Sequence, residues 1–165
     1  MSALQQNPSL ARAAAEQMAA SQRQGETGTV APRPIGFLQV DDLLAVPGFT
    51  PAVMAAIRDE IIFLPRATPL NVNTASALAL VARVPTLSLS DAITLIARRR
   101  TSPFRDLNDF NARVPGAEGD PEQLSVATQF FLVNGRVSMR EAMMQVQALI
   151  ERQGAMTRLL WVREV

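Results

Sequence analysis

The prolines in the middle of the chain constrain its fold most. Proline has no backbone N–H and a fixed φ, so it opens or closes a helix but does not sit inside one. Pro47, Pro51, Pro65, Pro85 and Pro103 cut the stretch 37–117 into short segments whose apolar spacing is helical. In the first, Leu43, Leu44 and Val46 precede a Pro47-Gly48 turn. Thr50 then caps a helix with Pro51 at its first position; Val53, Met54, Ile57 and Ile61 form its apolar stripe, and Pro65 ends it. In the second, Thr74 is the expected cap of "ASALALVARV", with Asn71 and Asn73 placed to bond nearby backbone. After Pro85, Ser88 starts another helix, with Asp91 at capping-box spacing. Ala92, Ile93, Ile96 and Ala97 are expected to face inward, and Arg98 to Arg100 lie in the last turn, where cations suit the helix dipole. Pro103 stops that helix, and Asp106 caps one more, buried through Leu107 and Phe110. The prediction is a set of short helices joined by the tight turns "VPGFT" and "VPTLS".

The flanks read differently. Ser9 can cap a helix to Gln22 with only Leu10, Ala14 and Met18 along one stripe, and "GETGTVAPRPIG" has the Gly and Pro density of a linker. After the loop "PGAEGDPEQ", "LSVATQFFLVNGRVSM" is rich in β-branched and aromatic residues, and Asn134-Gly135 is a hairpin or bulge signal. "EAMMQVQALIER" fits both periods: Met144, Val146, Ala148 and Ile150 alternate like a strand, while Met143, Val146, Leu149 and Ile150 fit a helix. "MTRLLWVREV" reads as a terminal strand. The fold class is therefore α+β, with residues 1–36 as lead-in and linker, 37–117 as a helical domain and 118–165 as strands.

Composition narrows the chemistry. The 165 residues hold no Cys, His or Tyr, which removes thiolate nucleophiles, the common zinc ligands and the imidazole that serves as general base near neutral pH. Carboxylates, hydroxyls and arginine remain, so catalysis is disfavoured. The net charge is +1 and all 16 basic residues are arginine, so no global field draws the chain to nucleic acid or to an anionic membrane. No run of about 18 apolar residues exists. The N-terminus lacks the basic start and apolar core of a signal peptide.

Each candidate site has a plainer reading. A nucleic-acid-binding helical hairpin offers turn N–H groups to a phosphate, usually through glycines. Here "VPGFT" has one Gly followed by Phe49 and "VPTLS" has none, so Phe49 and Leu87 read as plugs between helices. "ARRR" reads as a solvated helix end. The acids Glu118, Asp120 and Glu122 alternate with Gly119 and Pro121 without EF-hand spacing, which favours a solvated loop over a calcium site. Asp59 and Glu60 point to different helix faces, and the serine hydroxyls have no base to activate them. Trp161, with Leu159 on the same face of its strand, anchors either the sheet or a partner interface; Met143 and Met144 admit the same two readings.

"FLPRATPLNVNTASALALVARV", "AITLIARRRTSPFRDLNDF" and "LSVATQFFLVNGRVSMREAMMQVQALIERQGAMTRLLWVRE" succeed one another in a way that resembles the C-terminal part of the type II secretion system protein K family, the large minor pseudopilins. "IGFLQVDDLLAVPGFTPAVMAAI" resembles that family's first helical hairpin, so the likeness runs from about Ile35 to Glu164. Its most specific element is "PLNVNTA", with Asn71, Asn73, Thr74 and Ala75 as a structural motif. The resemblance implies a SAM-like, helix-hairpin-helix-type domain set in a pilin-like fold, which makes "EAMMQVQALIER" a strand. It implies a non-enzymatic subunit that primes and caps the tip of a periplasmic pseudopilus. Its expected partners are minor pseudopilins I and J, with the assembly platform as a further one, and neither nucleic acid nor a small-molecule substrate. The location implied is the inner membrane, with this part in the periplasm. The rival is a helix-hairpin-helix nucleic-acid-binding module of DNA-uptake type.

Family members begin with a basic leader, a prepilin peptidase site and a long apolar helix. None is in this sequence, so the N-terminal pilin helix is expected to be absent and the strands to carry an open edge and an unpaired face. Calcium occurs in the family, but "ARAAAEQMAASQRQGETG" offers only Glu16 and Glu26, so no metal ligand and no cofactor are assigned.

Overall fold

A computed structural model of the chain describes residues 8–22, 37–114, 116–117, 119–140 and 142–164. The expected linker over 25–36 lies outside them. Helix α1, Pro8–Gln22, contains Ser9, the expected cap. A 3-10 helix at Val40–Ala45 follows, then α2 (Pro51–Ile57), α3 (Ala77–Arg83), α4 (Leu89–Arg99) and α5 (Leu107–Arg113). The strands are β1 (Leu70–Asn71), β2 (Leu124–Ser125), β3 (Phe130–Met139), β4 (Ala142–Gln153) and β5 (Met156–Glu164). The ambiguous segment is thus a strand, and the chain is α+β.

The helices end by one repeated device. In "VPGF", "VPTL" and "VPGA" the valine N–H closes the last turn: Val46 onto Leu43, Val84 onto Leu80, Val114 onto Phe110. The residue three further on then donates back to the valine carbonyl: Phe49 to Val46 (3.1 Å), Leu87 to Val84 (3.0 Å) and Ala117 to Val114 (3.1 Å). All six side chains are buried. A hydroxyl caps the next helix in the first two cases, Thr50 accepting from Val53 N–H and Ser88 from Asp91 N–H. Gly48 needs its freedom, because φ is +93° and a Cβ there would lie 2.6 Å from Cδ2 of Leu10 on α1.

Two apolar clusters result. Phe37, Leu43, Val46, Phe49, Met54 and Ile57 form one, covered on one side by Leu10, Ala14 and Met18 of α1. The larger is built from Val72, Leu80, Val84, Leu87, Leu95, Phe104 and Phe110 with their neighbours, and Leu124 of β2 joins it. β1 and β2 pair in parallel, Leu70 with Leu124 and Asn71 with Ser125. Pairing of two such short strands, far apart in sequence, has no signature in either.

Several expectations need correction. The helix after Thr50 ends at Ile57 and tightens into a 3-10 turn at Arg58–Glu60, so Ile61 is extended and more than a third exposed rather than part of the stripe. Arg58 binds Asp41, and Glu60 binds Ser76, which holds that tightened turn in place. In α4 the inner stripe is Ala92, Leu95, Ile96 and Arg99; Ile93 is 57% exposed and Ala97 faces outward. Asn134-Gly135 is no turn. It lies inside β3, opposite Gln147 and Val146, and the chain reverses between Met139 and Ala142 with Arg140 at φ 54°. Gly135 has another use there, since a Cβ would come within 3.1 Å of Cγ2 of Val146.

β3, β4 and β5 form one antiparallel sheet in that order. A register shift between Leu149 and Ile150 pairs them with Trp161 and Leu159, leaving Leu160 as the extra residue. That bulge puts Trp161 and Leu159 on opposite faces, which overturns the reading of a shared face.

Candidate interaction surface

The "NVNTA" stretch is a knot of backbone hydrogen bonds. The Asn71 side chain accepts from Asn73 N–H at 2.9 Å, and the Asn71 carbonyl from Thr74 and Ala75 at 3.1 and 2.9 Å. Asn73 reaches across to the segment before α5. Its amide donates to the Phe104 carbonyl at 2.9 Å, and its oxygen accepts from Phe104 N–H at 2.8 Å. Arg99, from the last turn of α4, donates to the carbonyls of Val72 and Ala75 at 2.6 and 2.5 Å. Burial, then the charge of Arg100, lowers its pKa from the ordinary arginine value. Val72 N–H donates to Ser125, which completes the parallel pair.

The structure therefore brings Asn71, Asn73 and Ala75 together with Phe104 and Arg99. Thr74, expected to cap α3, is exposed in the turn; Ser76 caps the helix, accepting from Ala79 N–H at 3.1 Å. The Asn71 turn runs on to Ala75, which moves the first free cap position two residues along. Arg99 is the residue missed from sequence: one arginine among three at a helix end gives no sign of which turns inward.

Beside the knot, Asp106 caps α5 and Asp109 holds its first turn. Asp109 accepts from Arg105 N–H at 3.1 Å and from Arg113, which also bonds Ser102 and lies over the Phe104 ring. The Arg105 N–H, and then Arg113, hold the Asp109 carboxyl below its usual range against an opposing effect of burial.

The turns that would meet a phosphate in a nucleic-acid-binding hairpin are closed on themselves. The N–H groups of Phe49 and Leu87 are spent on Val46 and Val84, their side chains are core, and the Thr86 hydroxyl bonds Gly116. In the acidic loop, Asp120 accepts from Glu122 N–H and from the Gln123 side chain, as a turn residue does. No group of three or more metal-ligating side chains occurs among the described residues.

The sheet has two unlike faces. One carries Phe130, Leu149 and Glu151, all buried, with Leu132, Asn134, Gln147, Trp161 and Arg163 beside them. Leu149 is 1% exposed. At its buried end Arg66, from the segment leading to β1, binds Glu151, donates to the Gln129 side chain at 2.6 Å and lies 4.9 Å over the Phe130 ring. The side chain of Gln153 also donates to Glu151, at 3.0 Å. That bond, then Arg66, keeps the Glu151 carboxyl below its usual range despite burial.

The other face is almost wholly apolar. Phe131, Val133, Val137 and Met139 of β3 lie beside Met144, Val146, Ala148 and Ile150 of β4, and Leu159 and Val162 of β5 continue them. Val137 and Val162 are 58% and 56% exposed, and Met139, Met144 and Leu159 are open too. Arg152 of β4 lies over the Phe131 ring at 5.1 Å, and the rest of the face is open among the described residues. An exposed apolar patch of this extent marks a contact surface, whereas scattered exposed leucines would not. Met143 lies on the opposite face from Met144 and is exposed. Among the described residues no helix is long and apolar enough to cross a membrane.

Residues 70–129 match the family model described as Type II secretion system (T2SS), protein K. No curated protein matches the chain. Among solved structures, the chain is similar to one in the crystal structure of the GspK-GspI-GspJ complex from the enterotoxigenic Escherichia coli Type 2 Secretion System. The TM-score is 0.65 at 18% sequence identity, over 92% of this chain and 64% of that one. The chain thus spans less than two thirds of the length of that solved chain, and at this identity the likeness is one of fold. The matched sequence begins at β1 and takes in the whole "NVNTA" knot, α3 to α5 and β2. Over residues 70–129 the chain thus matches the sequence model of the type II secretion system protein K family, and its α+β fold is similar to that of a chain in the GspK-GspI-GspJ complex.

Proposed function

We propose that this chain is the helical domain and C-terminal sheet of a minor pseudopilin K, a non-enzymatic subunit of a bacterial type II secretion system. It acts through protein surfaces at the periplasmic side of the inner membrane, in company with pseudopilins I and J, and primes and caps the tip of the pseudopilus. The observation that carries this reading is the uncovered apolar face of β3, β4 and β5. A sheet with one apolar face is stable when that face is buried on another element, and a long apolar helix of a pseudopilin has the right chemistry to lie there. The match of residues 70–129 to the protein K family and the fold shared with the GspK-GspI-GspJ structure support the assignment of partners. The helical part belongs to the tip by the same reading: its turns are closed and its knot is structural, so it supplies a rigid, protein-facing surface.

A pull-down followed by calorimetry against the soluble domains of pseudopilins I and J tests this, with duplex DNA alongside. Binding to I and J without binding to DNA is expected. Binding to DNA that weakens steeply with salt, and none to I or J, would replace this reading with the nucleic-acid one.

A further inference from the structure

We propose that Arg66 and Glu151 form a clamp that locks the helical part onto the sheet, and that opening it lets the two reorient as rigid units. The two parts do not share a core: both apolar clusters consist of residues outside β3, β4 and β5. The chain crosses from one to the other in a short link, since Leu124 and Val126 pack with the helices and β3 begins at Phe130. At that crossing a polar contact lies beside the buried Phe130 and Leu149. Glu151, 3% exposed, receives the guanidinium of Arg66, which reaches it from a bend in the irregular segment between the Arg58–Glu60 turn and β1. Arg66 also holds Gln129 in the link, and the Gln129 carbonyl accepts from Arg152 N–H of β4 at 2.7 Å.

A buried carboxylate is stable only while paired, so Glu151 has two acceptable situations: closed on Arg66, or opened to water. Arg66, whose side chain is 45% exposed, has one side already in solvent, so the cost of opening lies with Glu151, which then needs water or another partner. Apolar junctions resist sliding and shearing because packed surfaces repack only as a whole. Here, among its described residues, the sheet buries only Phe130 and Leu149 besides Glu151, so the ion pair, the amide and the ring contact carry a large share of the hold. Arg158, opposite Glu151 on β5, stands ready to hold the carboxylate when Arg66 departs. The helical part then tilts about the link while each part keeps its own core.

The chain has no cysteine, so paired spin labels can be placed cleanly. With labels at Thr86→Cys, in the turn before α4, and Ser138→Cys, near the end of β3, pulsed electron resonance reads the distance between the two parts. The unaltered clamp is expected to give one narrow distance. Arg66→Ala and the isosteric Glu151→Gln are each expected to broaden it or add a second distance, while circular dichroism and the melting transition persist. Asp41→Asn, which breaks the Arg58 pair inside the helical part, is expected to leave the distance unchanged. A single narrow distance in both clamp variants would overturn the proposal. So would loss of the strand signal in Arg66→Ala, because the pair would then be required for folding and not for orientation.

Discussion

Asn73 shows how one side chain can set the path of several segments. Both ends of its amide engage the backbone of Phe104, a residue 31 positions away, and Arg99 ties the same loop from α4. Asn73→Ala leaves a partly buried N–H and carbonyl of Phe104 without partners, a loss of about 1–3 kcal/mol in urea unfolding. Thr74→Ala is expected to stay within about 0.5 kcal/mol, as an exposed substitution away from any cap does. Ser76→Ala is expected to cost about 1 kcal/mol, as loss of an N-cap. If Thr74 proved the costlier of the two, the assignment of the cap would be wrong. The caps at Thr50, Ser88 and Asp106 were legible because a side-chain oxygen three residues before a free N–H is a local pattern. The choice between Thr74 and Ser76 was not, because it turns on a loop whose length is fixed by the distant bonds of Asn73. Asp109 gives a pH test at the same scale. Its folded pKa is depressed, so its contribution is fully present above the unfolded value of about 3.9 and is lost as pH falls through the folded value. Asp109→Asn is expected to flatten the acid limb of the stability curve, and an unchanged limb would contradict that.

At the level of elements, turn chemistry and sheet register compete. Asn134-Gly135 has the residues of a tight hairpin, yet a reversal there would leave the apolar run of "EAMMQVQALIER" without a partner strand of matching length. Pairing Met139 with Ala142 lets ten residues of β3 match β4 and gathers their apolar side chains on one face, and the turn falls on Arg140 in a left-handed conformation. A non-glycine there is strained, so Arg140→Gly is expected to raise stability by about 1 kcal/mol in chemical unfolding, whereas a loss would mean that the Arg140 side chain holds the turn. The bulge at Leu160 is invisible in "TRLLWV" for a related reason: it follows from how β5 meets β4 at Leu149 and Ile150, not from any residue of β5. The phase of α4 slipped similarly, because Arg99 occupies an inward position that an apolar-only pattern gives to Ile93. Strand identity in β4 was legible only in part: its own residues fit both periods, a strand between two others was the reading they favoured, and the resemblance to a family decided it.

On the scale of the whole molecule, the helical part is closed and the sheet is open. The turns spend their N–H groups internally and plug themselves with Phe49 and Leu87, while one sheet face is left apolar and, apart from Arg152 over Phe131, open among the described residues. Val137→Asp with Val162→Asp is expected to abolish most binding of a hydrophobic dye at a cost in stability within about 1 kcal/mol, as two exposed positions allow. Undiminished dye binding would place the exposed apolar surface elsewhere. The measurement that bears most directly on the account is hydrogen–deuterium exchange of the chain, free and with the soluble domains of pseudopilins I and J. Slowed exchange in β3, β4 and β5, with the turns Val46–Thr50 and Val84–Ser88 unchanged, is the predicted result. Protection of those two turns, appearing with duplex DNA and not with I and J, would contradict it.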